Sequence, residues 1–269
     1  MPKLSYEPND LNQRHEGLLR TVARLVRRVA RPYHRAEITG LERIPEGPAL
    51  YVGNHNGALL SIDTFLALSE VVLERGMEAM PYALAHSVII RMPVMNQILV
   101  PLGAVEASWA NAERVLEAGH KVLVYPGGEI EAMRPFSERH QVKFSGRRGW
   151  IRLALRSDVP IVPVAAAGAH ATLIILDDQP RLARMLGLDE LMRTHVWPLT
   201  FSIPWGLTFG PPPPHIPLPV KIAIEFLEPM TFDRVGPEAA EDEAYVDTCA
   251  YRVEAKIQHT VDRLVAQKL

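Results

Sequence analysis

The sequence is short of cysteine, of net charge and of long apolar runs, and each shortage closes a class of explanation. A single cysteine, Cys249, excludes an intrachain disulfide framework and any cysteine-rich metal site. Basic and acidic residues nearly cancel, 29 against 31, so no global charge points to nucleic acid. No uncharged apolar run reaches the roughly 18 residues that a spanning helix needs. The nearest, residues 159–176, is interrupted by Pro163, Gly168 and His170. The opening "MPKLSYEPNDLNQRHEG" is polar where a signal peptide carries a continuous apolar segment, so none is expected. There is no internal repeat and no linker long enough to divide two domains. The G-x-S-x-G elbow of α/β-hydrolases and the G-x-x-x-x-G-K-[ST] phosphate loop are both missing.

What remains is a 269-residue chain, 48% hydrophobic and 22% charged, long enough for a large core. Its charges are unevenly placed. Residues 14–35 hold seven Arg against one acid, Glu16. Leu18, Val22, Leu25, Val26 and Val29 recur at helical spacing beside a stripe of Arg20, Arg24, Arg27 and Arg31. This predicts a basic amphipathic helix ending near Pro32, either lying on a membrane surface or packed on the domain with a solvated Arg face. Strand and helix patterns then alternate, which indicates an α/β sheet. A buried strand is expected over residues 49–52, and a helix with Ser61 at its N-cap and Asp63 in its first turn runs to Arg75. Further buried strands read at "KVLVYPGG" and "VPIVPVAAAG", and a strand at residues 221–226. Residues 182–194 read as a helical segment, and residues 197–226 as a Pro-rich stretch with four consecutive prolines. Residues 243–268 form a last amphipathic helix.

Two turns carry chemistry. His55 follows the strand at residues 49–52, on the edge where open α/β sheets bind ligands. Asp63 begins the next helix, and a turn that folds back brings its carboxylate to the imidazole Nδ1–H and leaves Nε2 free to take a proton. Asn56 and Gly57 let that turn bend and approach a substrate. The plainer reading makes Asp63 a helix-start acid and His55 a hydrogen-bonded loop residue. In the second turn, "VLVYPGGEIEAMRPF", Gly127 and Gly128 either offer backbone N–H groups to a developing oxyanion or make a tight turn that needs positive φ. Lys143, Arg147 and Arg148 stand just before a helix, where they meet phosphates or form a solvated charge run.

These stretches resemble the glycerolipid acyltransferases. "GNHNGALLSID" is similar to their His-Asp motif, "VYPGGEIEAMRP" to their Pro-Gly block, and "VPIVPVAAAGAH" to the strand near the end of their core. "IPWGLTFGPPPPHIPLPVKIAIEFLEPM" resembles the end of the domain in the diacylglycerol and monoacylglycerol acyltransferase-like branch. The resemblance covers residues 38–230. It implies a glycerol-3-phosphate acyltransferase-like α/β fold, a mixed sheet flanked by helices. Residues 1–37 then form the N-terminal helical segment and residues 231–269 a helical tail packed on the domain. It implies His55 as general base and Asp63 as its orienting partner. It further implies a substrate-binding set of Asn56, Gly57, Pro126, Gly127, Gly128, Glu131, Arg134, Lys143, Arg147 and Arg148. The donor is acyl-CoA or acyl carrier protein, the acceptor a lipid alcohol or glycerolipid, with no metal or cofactor and no nucleic-acid partner. The expected location is cytoplasmic, peripheral to a membrane surface through the N-terminal helix.

Three departures bear on the acceptor. The family spacing is His-x4-Asp, whereas seven residues separate His55 from Asp63. The block reads Pro-Gly-Gly in place of Pro-Glu-Gly. Glu106 stands near the place where the family offers an Arg for the acceptor phosphate. All three favour a neutral alcohol over lysophosphatidic acid. The remaining alternatives are an esterase, and a catalytically inactive lipid-binding or scaffold protein of the same fold.

Overall fold

In the computed structural model, which describes residues 4–57, 61–179, 185, 196–210 and 214–269, a seven-stranded sheet forms the centre. Its strands are β1 (Glu37–Thr39), β2 (Leu50–Gly53), β3 (Tyr82–Ala85), β4 (Ala104–Glu106), β5 (Val122–Val124), β6 (Ile161–Ala167) and, later in the chain, Ala223–Phe226. They lie in the order β1, Ala223–Phe226, β6, β2, β5, β3, β4. The pairs β2–β5, β2–β6, β3–β4 and β3–β5 are parallel, and Ala223–Phe226 runs antiparallel to β6.

Burial explains why β2, β5 and β6 read as continuous apolar runs. Helices cover both faces, so residues of either parity are buried. On one side Leu50, Val52, Val122 and Ile161 meet α5 (Trp109–Glu117), α7 (Gly149–Arg156) and the C-terminal helix Glu243–Lys268. On the other side Tyr51, Leu123, Val162 and Val164 meet α2 (Ile62–Arg75) through Leu66, Ala67 and Val71. The N-terminal helix α1 (Glu16–Tyr33) lies on α2 and buries Leu19 and Ala23. It continues one residue past Pro32. Between β3 and β4 run the short helices α3 (Ser87–Ile90) and α4 (Pro93–Leu99), and α6 (Gly128–Ala132) follows β5.

The sequence missed one element of structure. Within the stretch read as Pro-rich, β8 (Leu199–Ser202) and β9 (Gly206–Phe209) form an antiparallel hairpin, and β7 (Ile174–Asp177) pairs with β8 to complete a three-stranded sheet. The helix expected over residues 182–194 lies, Met185 apart, outside the described residues, as do three of the four consecutive prolines. Ala223–Phe226 is accordingly β10, Pro237–Glu241 is α8 and Glu243–Lys268 is α9. No helix among the described residues is long and apolar enough to cross a membrane.

Candidate active site

The two predicted turns stand side by side because their strands do. β2 and β5 are adjacent and parallel, with Val52 in register with Val124. Gly53–Gly57 and Tyr125–Gly128 therefore leave the same sheet edge as neighbours, the edge that α/β sheets use for ligands. Asn54 anchors the first turn to β6: its Nδ2 donates to Ala166 O and its Oδ1 accepts from Ala166 N, both at 2.9 Å. Gly53 has a steric reason to be glycine, since a Cβ there would stand 2.8 Å from the Tyr125 ring.

That ring stacks on the His55 imidazole, with centroids 4.6 Å apart and planes 20° from parallel. The Tyr125 hydroxyl is hydrogen-bonded to Thr64 Oγ1 at 2.6 Å, which ties the second turn to the start of α2. Burial, followed by the positive charge of Arg134, lowers the His55 pKa to about 4, so the ring is neutral at physiological pH. His55 Nδ1 meets Ser61 Oγ at 3.1 Å. In the tautomer where Nδ1–H donates to Ser61, the Nε2 lone pair is open.

This corrects the expected His–Asp contact. Asp63 is buried and forms no ion pair with His55. Its Oδ2 accepts from Asn56 Nδ2 at 2.9 Å and its Oδ1 accepts from Thr64 N at 3.0 Å. Burial raises its pKa to about 6, against the lowering effect of the Asn56 and Thr64 hydrogen bonds. Ser61 stands at the ring, and the Asp63 carboxylate grips Asn56 instead. Residues 58–60 of that turn lie outside the described residues. Ser61 does occupy the N-cap position, but its hydroxyl makes no cap bond to the helix.

Glu131 and Arg134 hold both turns from behind. Glu131 is fully buried; its Oε2 accepts from His55 N at 2.9 Å and its Oε1 from Lys143 N at 3.0 Å. Burial raises its pKa to about 7, with Arg134 pulling the other way. Arg134, equally buried, donates to His55 O at 2.7 Å, to Asn56 Oδ1 at 2.7 Å, to Arg139 O at 2.8 Å and to Glu138 O at 3.0 Å. His170 Nε2 in turn lies 2.8 Å from Arg134 O. Expected at the substrate, Arg134 instead faces inward, because a guanidinium's five donors match the carbonyls of a bent backbone.

The other expected binding residues divide. Gly57 (φ +73°) and Pro126 are buried in the turns. Gly127 is packed so closely that a Cβ would lie 2.3 Å from Lys143 O and 2.4 Å from Glu131 Oε2. Its N–H has no acceptor among the described residues, whereas that of Gly128 (φ +53°) donates to Tyr125 O at 3.0 Å. Arg147 covers Gly128, donates to Pro126 O at 3.2 Å and pairs with Glu129. Lys143 pairs with Glu138. Arg148 points away to Asp247 of α9, at 2.6 Å. Glu106 is neutralised by Arg91. Every cation that the sequence offered for a phosphate is thus held by an acid or buried.

Behind Thr64 lies an apolar cavity of about 90 Å³ between α1, α2, β3 and β4, lined by Leu19, Val22, Phe65, Leu68, Val72 and Met80 among others. From the short helices between β3 and β4, only Leu99 reaches it. Thr64 is on the cavity wall and touches Tyr125, which touches His55. Tyr125, Thr64 and the Ser61–imidazole contact escaped sequence reading. An aromatic placed directly after a buried strand, beside a glycine of the neighbouring strand, is the signal that marks Tyr125.

This geometry agrees with a family likeness. A family model described as Acyltransferase matches residues 35–167, and the chain is similar to that family over this stretch. An uncharacterized protein of Mycobacterium tuberculosis is 31% identical over 243 residues, 90% of this chain and 65% of its own length. The mouse protein "DGAT1/2-independent enzyme synthesizing storage lipids" is 27% identical over 149 residues, 55% of this chain and 44% of its own. This chain therefore spans less than two thirds of the length of these curated relatives. The crystal structure of the 1-acyl-sn-glycerophosphate (LPA) acyltransferase PlsC from Thermotoga maritima matches with a TM-score of 0.55, over 93% of this chain and 81% of that one. At 19% identity that likeness is one of fold.

Proposed function

We propose that this protein moves a fatty acyl group from a thioester, acyl-CoA or acyl carrier protein, to the hydroxyl of a neutral lipid alcohol. The observation that carries the reading is the neutral imidazole of His55 at the shared edge of two turns, with an apolar cavity behind its Thr64–Tyr125 neighbours. Nε2 takes the proton of the acceptor hydroxyl as its oxygen attacks the thioester carbonyl. The C–S bond then breaks, and the leaving thiolate takes the proton back from the imidazolium. Ser61 holds the ring through Nδ1. Asp63 acts at one remove, holding Asn56 and with it the turn. The unused Gly127 N–H is the candidate donor to the developing oxyanion.

The paired and buried cations around the site favour an uncharged acceptor, such as a mono- or diacylglycerol, over a lysophosphatidic acid. The exposed Leu18, Leu25 and Val29 of α1, beside Arg24 and Arg28, fit a helix resting on an anionic membrane surface. The Ser61–His55 contact is the one feature that favours an esterase, and it is tested by the same assay. Thiol release from an acyl thioester, measured across a panel of alcohols, is expected to depend on the alcohol and to fall by about 10²–10⁴-fold in His55→Ala with the melting curve preserved. Full activity in that variant removes the base assignment, and thiol release without any alcohol replaces transfer by hydrolysis.

A further inference from the structure

We propose that the outer face of the β8–β9 hairpin is a second contact with a lipid surface, inserting apolar side chains into a bilayer beside α1. The proposal extends the membrane reading of α1 and stands on different residues. Antiparallel sheets with one face on the protein normally turn apolar residues in and polar residues out. This hairpin is reversed. Thr200 (0% exposed) and Ser202 (5%) face inward, and the Thr200 and Thr208 hydroxyls bond to each other at 2.7 Å. Phe201 (43%), Leu207 (65%) and Phe209 (58%) face outward, with Phe201 directly opposite Leu207 and Leu199 opposite Phe209. Trp205 (54%) stands at the turn between the strands, and its indole N–H already donates to Pro214 O at 2.7 Å, so no polar atom of the ring seeks water. Residues 196–220 contain no Asp, Glu, Lys or Arg. Asp177, beside Leu199 at the end remote from Trp205, marks the limit of the face.

An apolar face of this kind, tipped by Trp, has the composition of a membrane-interface element. Its surroundings select the occupant. Ile216, itself exposed, donates its N–H to Ile203 O at 2.9 Å and extends the face toward α1. Next to it, Tyr33 Oη donates to Pro217 O at 2.8 Å and Arg35 to Pro219 O at 2.9 Å. Tyr33 closes the exposed helical stripe of Leu18, Leu25 and Val29, so hairpin and helix form one apolar border. Arg24 and Arg28 flank that stripe with no acid partner among the described residues. A surface apolar at its centre, aromatic at its tip and cationic along its edge complements a bilayer with anionic headgroups.

The full chain is mixed with vesicles of phosphatidylcholine, with and without phosphatidylglycerol, at low and high salt. Replacing Phe201, Leu207 and Phe209 together by Ser is expected to lower partitioning at least about tenfold at both salt levels, with the melting curve unchanged. Arg24→Glu with Arg28→Glu is expected to remove only the salt-sensitive part of binding. Bilayer entry of the hairpin tip is expected to blue-shift the tryptophan emission and to expose it to brominated acyl chains, and Trp205→Phe to lose both effects. Unchanged partitioning of the triple Ser variant overturns the proposal. So does a chain that sediments as a dimer with Trp205 already shielded before lipid is added, which makes the face a contact between two copies. Neither readout needs turnover, so failure here leaves the acyl-transfer reading untouched, and an inactive His55→Ala that still binds vesicles separates the two.

Discussion

The two sheets of this protein solve opposite problems. The seven-stranded sheet buries apolar side chains on both faces and gathers the polar groups of the candidate site where β2 and β5 end. In the three-stranded sheet the β8–β9 hairpin turns hydroxyls inward and large apolar groups outward. The difference shows where each does its work. A dry interior lets burial hold an imidazole neutral and lets one guanidinium organise two turns. The smaller sheet adds only Ile175 to a small apolar cluster, and its hairpin offers an apolar face to the outside.

That contrast can be broken by substitution. The largest effect on stability is expected from Arg134→Ala. It strips the carbonyls of His55, Glu138 and Arg139 of their donor and leaves Glu131 and Asp63 without a counter-charge. A loss of about 3–5 kcal/mol, read by denaturant unfolding, is the magnitude for removing one partner of a buried charged network. Leu50→Ala in the centre of the seven-stranded sheet is expected to cost about 2–5 kcal/mol. The chemically identical Leu207→Ala, on the exposed face of β9, is expected to stay within about 0.5 kcal/mol. Equal costs for the two leucines would erase the distinction between the sheets.

Between those extremes falls a pH effect. The folded pKa of Glu131 is raised to about 7 from an ordinary 4.5, so the folded protein holds a proton there that the unfolded chain has released. Stability from this group is therefore present below pH 4.5 and declines as pH rises toward 7, by roughly 3 kcal/mol. Asp63 has the same sign below its value of about 6, and His55, lowered to about 4, has the opposite sign. The difference in stability between wild type and Glu131→Gln across pH 4.5–7.5 isolates this contribution, and the wild type is expected to lose roughly 3 kcal/mol relative to the variant as pH rises.

Much of this architecture could be read from the chain. Continuous apolar runs identified β2, β5 and β6, α2 ends at Arg75 as its pattern did, and α9 falls where its amphipathic pattern ran. The pairing of the His55 and Gly127 turns was legible because parallel neighbours leave the sheet at one edge. The partner of the imidazole was not. Spacing identifies which residues are near a turn, but whether Ser61 or Asp63 reaches Nδ1 depends on the path of the longer loop. Arg134 was legible as important and misread in role, since sequence does not say which way a guanidinium points. The hairpin was hidden because its alternation is reversed and prolines surround it.

The account rests on a neutral imidazole steadied through Nδ1 with Nε2 open, and the His55 ring nitrogens test this directly. In ¹⁵N-histidine-labelled protein, with His55→Gln supplying the assignment, the ring is expected to keep an Nδ1–H tautomer at pH 7 and to take a second proton only near pH 4. A ring that titrates near 6.5, or one whose proton sits on Nε2 at pH 7, would contradict it.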